Sequence, residues 1–123
     1  MKTLSVALLQ SDSRIVRALA ASLCHHFQTI RAASSIEHLR EIVVRHRSEL
    51  VIVDLEMASM SEIARLHRDF TGVCIVCTHR LADEEIWTAA MNAGASDLCP
   101  TFDTRTIVDA ALRSESMGGS IAA

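Results

Sequence analysis

Leu50-Val51-Ile52-Val53-Asp54-Leu55-Glu56-Met57 decides the fold. Its first four residues are aliphatic with no polar alternation, so a strand built from them is covered on both faces. The run stops at a carboxylate, Asp54. A carboxylate ending a buried strand is expensive unless it is solvated, paired or put to use. A doubly covered strand needs helices above and below it, and the sequence on either side supplies them.

Apolar runs alternate with amphipathic stretches five times. The strand-like runs are Leu4–Leu9, Gln28–Ala33, Leu50–Val53, Val73–Cys77 and Asp97–Cys99. Helical spacing follows each. Ile15, Val16, Leu19 and Leu23 share one face, as do Ile36, Leu39, Ile42 and Val43. Met60, Ile63 and Leu66 mark the third helix, Ile86, Ala90 and Met91 the fourth, and Ile107, Val108, Ala111 and Leu112 the last. Ser34-x-x-Glu37 and Ser59-x-x-Glu62 fit the capping box, Asp83 and Asp103 suit the N-caps of the last two helices, and Gly94 suits a left-handed helix end.

This rhythm predicts an α/β domain over residues 1–113: a five-stranded parallel sheet in the order 2-1-3-4-5, doubly wound and flavodoxin-like, with five helices on two faces. Function in such sheets gathers at the carboxyl ends of the strands. That edge holds Gln10, Ser11, Asp12, Asp54, Glu56, Cys77, Thr78 and Cys99-Pro100-Thr101. From Ser114 to Ala123 periodicity gives way to Gly and Ser, which reads as a flexible tail or the start of a linker.

Composition narrows the function. Half the 123 residues are hydrophobic but only 3% are aromatic, so the core is aliphatic. A net charge of −3 gives no global attraction for nucleic acid or an acidic membrane. The apolar start is cut short by Gln10-Ser11-Asp12-Ser13-Arg14, and no run reaches the roughly 18 apolar residues of a membrane span. Cys24, Cys74, Cys77 and Cys99 are scattered through apolar segments and read as reduced core residues of a cytoplasmic protein. Cys74 and Cys77 lie three apart on a strand, on opposite faces, and cannot share a metal.

Three segments carry a family resemblance: Leu50 to Met57, Val73 to Thr78, and Ala93-Gly94-Ala95-Ser96-Asp97-Leu98 leading into Phe102-Asp103. Together they resemble the receiver domain of bacterial two-component response regulators, from about Leu4 to Leu112. The resemblance implies that Asp54 accepts a phosphoryl group in a phosphorelay, from a sensor histidine kinase or a phosphotransfer protein. It implies a weak Mg2+ site made of Asp54, the Glu56 carbonyl and Asp12, and phosphoryl contacts from Thr78 or Thr101. The domain would be no enzyme beyond its own phosphorylation from a donor. It would signal through the fourth helix, fifth strand and fifth helix, the face on which such domains also form homodimers.

The sequence departs from that family at several points. Receivers carry two adjacent acids after the first strand; here Gln10 and Ser11 stand there, and Asp12 follows. The switch hydroxyl at the end of the fourth strand falls on Cys77, Thr78 or His79, depending on where the count begins. The aromatic of the fifth strand is Leu98. The Lys-Pro pair after it becomes Pro100-Thr101 when matched through Phe102, or Cys99-Pro100 when matched on proline. An atypical receiver acting as a phosphate-independent interaction module is therefore the competing reading, with a small-molecule-binding flavodoxin-like domain a distant third. No glycine-rich phosphate loop or nucleophile elbow supports a nucleotide-binding or hydrolytic function. The six histidines lack metal-ligand spacing, His38 and His46 being eight apart. Trp87 suits either an interface or a ring half-buried on the sheet.

Overall fold

The computed structural model describes residues 2–122, with side chains from Leu4 to Ser114. Strands and helices alternate throughout: β1 (Lys2–Leu9), α1 (Ser13–Leu23), β2 (Phe27–Ala32), α2 (Ile36–His46), β3 (Leu50–Asp54), α3 (Met60–Asp69), β4 (Cys74–His79), α4 (Glu84–Ala93), β5 (Asp97–Pro100) and α5 (Thr104–Ala122). The sheet order is β2-β1-β3-β4-β5, every pairing parallel. The doubly wound fold expected from the sequence is the one found. Side chains beyond Ser114 lie outside the described residues, while the backbone of α5 runs on to Ala122 through most of the stretch read from the sequence as a flexible tail or the start of a linker.

β3 sits at the centre, and all five of its residues are buried. Its alternate side chains feed two separate cores, as strand geometry requires. Leu50 and Ile52 pack with Val6, Leu8 and Val76 against Leu19 of α1 and Ile107 of α5. Val51 and Val53 pack with Ala7, Leu9 and Ile75 against Leu39 of α2, Ile63 of α3 and Ala90 of α4. Each fully buried Leu or Ile contributes roughly 1.5–3 kcal/mol. Cys77 belongs to the second core and Cys99 to the first, while Cys74 packs on the first as well. The Cys74–Cys77 pair is thus split across the sheet. Burial pushes the Cys77 thiol up to about 12, with Cys99 adding to it. Burial, then the charge of Asp97, does the same to Cys99. Neither thiol ionises at neutral pH, so neither offers a thiolate to a metal or an electrophile.

The helix caps fix the loops around the carboxyl edge. Ser59 and Glu62 form the reciprocal capping box of α3, and the Asp83 carboxylate accepts from the Ile86 N–H at 2.9 Å to start α4. The cap of α2 falls one residue later than the Ser34–Glu37 pattern suggests. Ser35 accepts from the His38 N–H, while the Ser34 N–H donates to His38 Nδ1 at 3.0 Å. The ring satisfies Ser34 and releases Ser35 for the helix. Gly94 ends α4 at φ 108°, a conformation that favours glycine, and a β-carbon there would overlap the His67 ring and Cβ of α3. Among the described residues no helix is long and apolar enough to cross a membrane.

Candidate functional site

Strand alternation sends Gln10, Asp54, Thr78 and Thr101 to the side of the sheet covered by α1 and α5, just beyond the last apolar layer. The register pairs Asp54 directly with Thr78, and the Leu55 N–H donates to the Thr78 carbonyl at 2.9 Å. Of the three candidates for the hydroxyl at the end of β4, Thr78 is the one beside Asp54. Cys77 faces the opposite core and pairs with Leu98. His79 is spent in its own loop, where Nδ1 accepts from the Leu81 N–H at 3.0 Å.

Asp54 has 0% of its surface exposed. Its Oδ2 accepts from the Ser11 hydroxyl at 2.8 Å and the Ser11 N–H at 3.3 Å. Its Oδ1 accepts from the Glu56 N–H at 3.0 Å. Three donors on two oxygens meet the requirement that a buried charge be hydrogen-bonded. The Ser11 hydroxyl also lies 3.2 Å from Glu56 Oε2, and Arg80 Nε pairs with Glu56 Oε1 at 2.9 Å. Arg80, Glu56 and Ser11 therefore form a chain of contacts that ends on Asp54.

Gln10 and Thr78 are both buried and meet side chain to side chain. The Gln10 amide nitrogen is 3.2 Å and its oxygen 3.3 Å from Thr78 Oγ1, so the hydroxyl is satisfied with either as partner. Thr101 follows Cys99 and Pro100, the two positions at which the resemblance would place a lysine. It is 2% exposed; its N–H donates to the His79 carbonyl at 3.1 Å, and its hydroxyl has no hydrogen-bond partner. Pro100, paired with His79, is exposed, and no described peptide bond is cis. Leu98 is buried in the core under α4.

The structure does not bring Asp12 to Asp54. Asp12 is the N-cap of α1: Oδ1 accepts from the Arg14 N–H at 2.8 Å, and both oxygens take the Arg14 guanidinium, at 3.2 and 2.9 Å. The Arg14 guanidinium and N–H hold this carboxyl below the usual carboxylate range. Mg2+ prefers an octahedral set of oxygens anchored by carboxylates. With Asp12 turned to its own helix and Ser11 neutral, these residues do not fit the ion. Among the described residues no three His, Cys, Asp or Glu side chains gather as ligands. Sequence reasoning missed the Ser11 cap, the Gln10–Thr78 contact and Arg80. The signal for the first two was present: adjacent hydrogen-bonding residues at the end of a strand neighbouring β3.

A parallel sheet in this order is flavodoxin-like, and among solved structures of that architecture receiver domains match it. The N-terminal signal receiver domain of a two-component response regulator from Bacteroides fragilis matches at a TM-score of 0.81 and 18% identity, over 92% of this chain and 97% of its own. A response regulator from Thermotoga maritima matches at 0.83 and 18% identity, over 94% and 99%. The RcsB response regulator of Salmonella typhimurium matches at 0.82 and 15% identity over 96% of this chain, which spans 62% of that one. No protein-family model and no curated protein matches the sequence. At such identities the likeness establishes the fold: the chain has the receiver fold of response regulators.

Proposed function

We propose that this chain is a receiver-fold signal-transduction domain that works through protein contacts, with Asp54 serving as a structural carboxylate. One observation carries this reading: Asp54 is wholly buried beneath Ser11 and Glu56, with both oxygens hydrogen-bonded. A nucleophile needs a lone pair directed at an approaching phosphorus, and here that approach is closed. The electrostatics agree. Phosphoryl transfer to a carboxylate depends on cationic groups to offset charge repulsion, and Gln10, Ser11 and Thr101 are all neutral.

The Gln10 amide takes the place of a phosphoryl oxygen as the partner of Thr78, so the β4 hydroxyl is drawn inward without modification. Output then rests on the face of α4, β5 and α5. Leu81 at 72%, Trp87 at 47% and Phe102 at 60% expose apolar surface around α4 and the loop after β5, the composition of a docking patch. A partner protein or a second copy of the chain would bind there, and no turnover of substrate is involved.

The register of Thr78 beside Asp54 supports a second reading, in which Asp54 takes a phosphoryl group from a sensor histidine kinase or phosphotransfer protein once Ser11 swings away. Intact-mass spectrometry after incubation with acetyl phosphate and Mg2+ separates the two. The wild-type chain is expected to show no phosphoryl adduct over hours. An adduct that disappears in Asp54→Asn would establish the second reading.

A further inference from the structure

We propose that the cavity between the edge strand β2 and helix α2 is a binding site for a small organic phosphate. It is separate from the Asp54 site and does not depend on how that site works. The cavity measures about 390 Å³ and opens on the outermost strand of the sheet. That volume lies within the range of small-molecule sites, roughly 300–1,000 Å³.

Its walls combine two chemistries. Ile42 of α2 supplies apolar surface, the Ile30 side chain being turned to the opposite core, while Arg31 of β2 and Arg45 of α2 bring guanidinium groups from the strand and the helix. Arg14, Arg40, Arg68, Arg80 and Arg113 each have a carboxylate partner. Arg31 and Arg45, like Arg17, Arg47, Arg65 and Arg105, have none within ion-pair distance among the described residues, and these two share one concavity. Guanidinium forks on two walls of one concavity suit the oxygens of a phosphate monoester.

Two histidines complete the lining. His38 Nδ1 accepts from the Ser34 N–H at 3.0 Å, so the neutral ring carries its proton on Nε2, a donor not used by Ser34. His46 lies close enough to both guanidinium groups that burial, Arg31 and Arg45 together hold its proton affinity below the ordinary value. Glu41 is the one carboxylate in the lining. Against two guanidinium groups it leaves the cavity with an excess of positive charge, although the chain as a whole is acidic.

A two-dimensional amide NMR titration of the full chain, with inorganic pyrophosphate and AMP as probes in about 100 mM salt, tests this proposal. Saturable shifts are expected at Arg31, Ala32, His38, Arg45 and His46 with a dissociation constant below about 1 mM for AMP, and saturation by pyrophosphate alone would overturn the assignment to an organic phosphate. The Arg31→Gln/Arg45→Gln variant, altered only at exposed positions, should keep its thermal stability and bind at least about tenfold more weakly. Shifts that stay linear like those of added sodium chloride, or unchanged affinity in the folded double variant, would overturn it.

Discussion

The combined substitution Gln10→Asp, Ser11→Asp and Thr101→Lys is expected to raise the rate at which Asp54 takes a phosphoryl group from acetyl phosphate by roughly 100-fold or more in Mg2+, equivalent to about 2.7 kcal/mol of barrier. Three physical effects act together. Removing the Ser11 hydroxyl uncovers Asp54 Oδ2, whose shortest hydrogen bond it makes. Carboxylates at positions 10 and 11 complete an oxygen cage in which Mg2+ offsets the repulsion between Asp54 and the incoming group. The ammonium at 101 replaces a buried hydroxyl that has no partner, so a neutral, unsatisfied group gives way to a cation aimed at the same edge. Intact-mass time courses of the two proteins, with circular dichroism to confirm folding, measure the effect. A folded triple variant that reacts no faster than wild type would mean that these residues do not set the reactivity of Asp54.

Gly94→Ala is expected to lower stability by about 2–3 kcal/mol, near 1 from the backbone and the rest from steric overlap. The residue has φ 108°, where an L side chain is strained. The new methyl would also meet the Cβ, Cγ and Cδ2 atoms of His67. Rotating the histidine ring cannot relieve the contact at Cβ, so α3 and α4 must move apart. Truncating the ring removes part of the overlap but keeps the β-carbon: in a His67→Ala background, Gly94→Ala should cost less than in wild type yet still more than the roughly 1 kcal/mol of the backbone alone. Urea unfolding of the four proteins gives the cycle. A loss under about 0.5 kcal/mol for Gly94→Ala alone would show that the α3–α4 contact is loose.

The fold was legible because its strongest signals are local. The apolar run from Leu50 to Val53 can be satisfied only by cover on both faces, and the spacing of Ile15, Leu19 and Leu23 or of Leu39, Ile42 and Val43 follows from helical geometry. The boundaries moved slightly where a side chain chose between two backbone partners, as His38 does at the start of α2. The site was legible only in part. Its residues lie on one edge, as expected from the topology, but their contacts join positions 43 and 68 apart in sequence. Whether Asp12 reaches Asp54 or its own helix depends on where Arg14 places its guanidinium, which periodicity does not encode. Nor could counting choose among Cys77, Thr78 and His79. The pairing of β3 with β4 does, because a slip of one residue would turn Thr78 into the opposite core.

The most direct measurement is a two-dimensional amide NMR titration of the wild-type chain with millimolar Mg2+ and then beryllofluoride, which mimics a phosphoryl group on aspartate. A closed Asp54 site gives no shifts beyond those of matched salt at Asp54, Thr78 and Leu98. Saturable shifts that start at Asp54 and spread through Thr78 to Leu98 would contradict it.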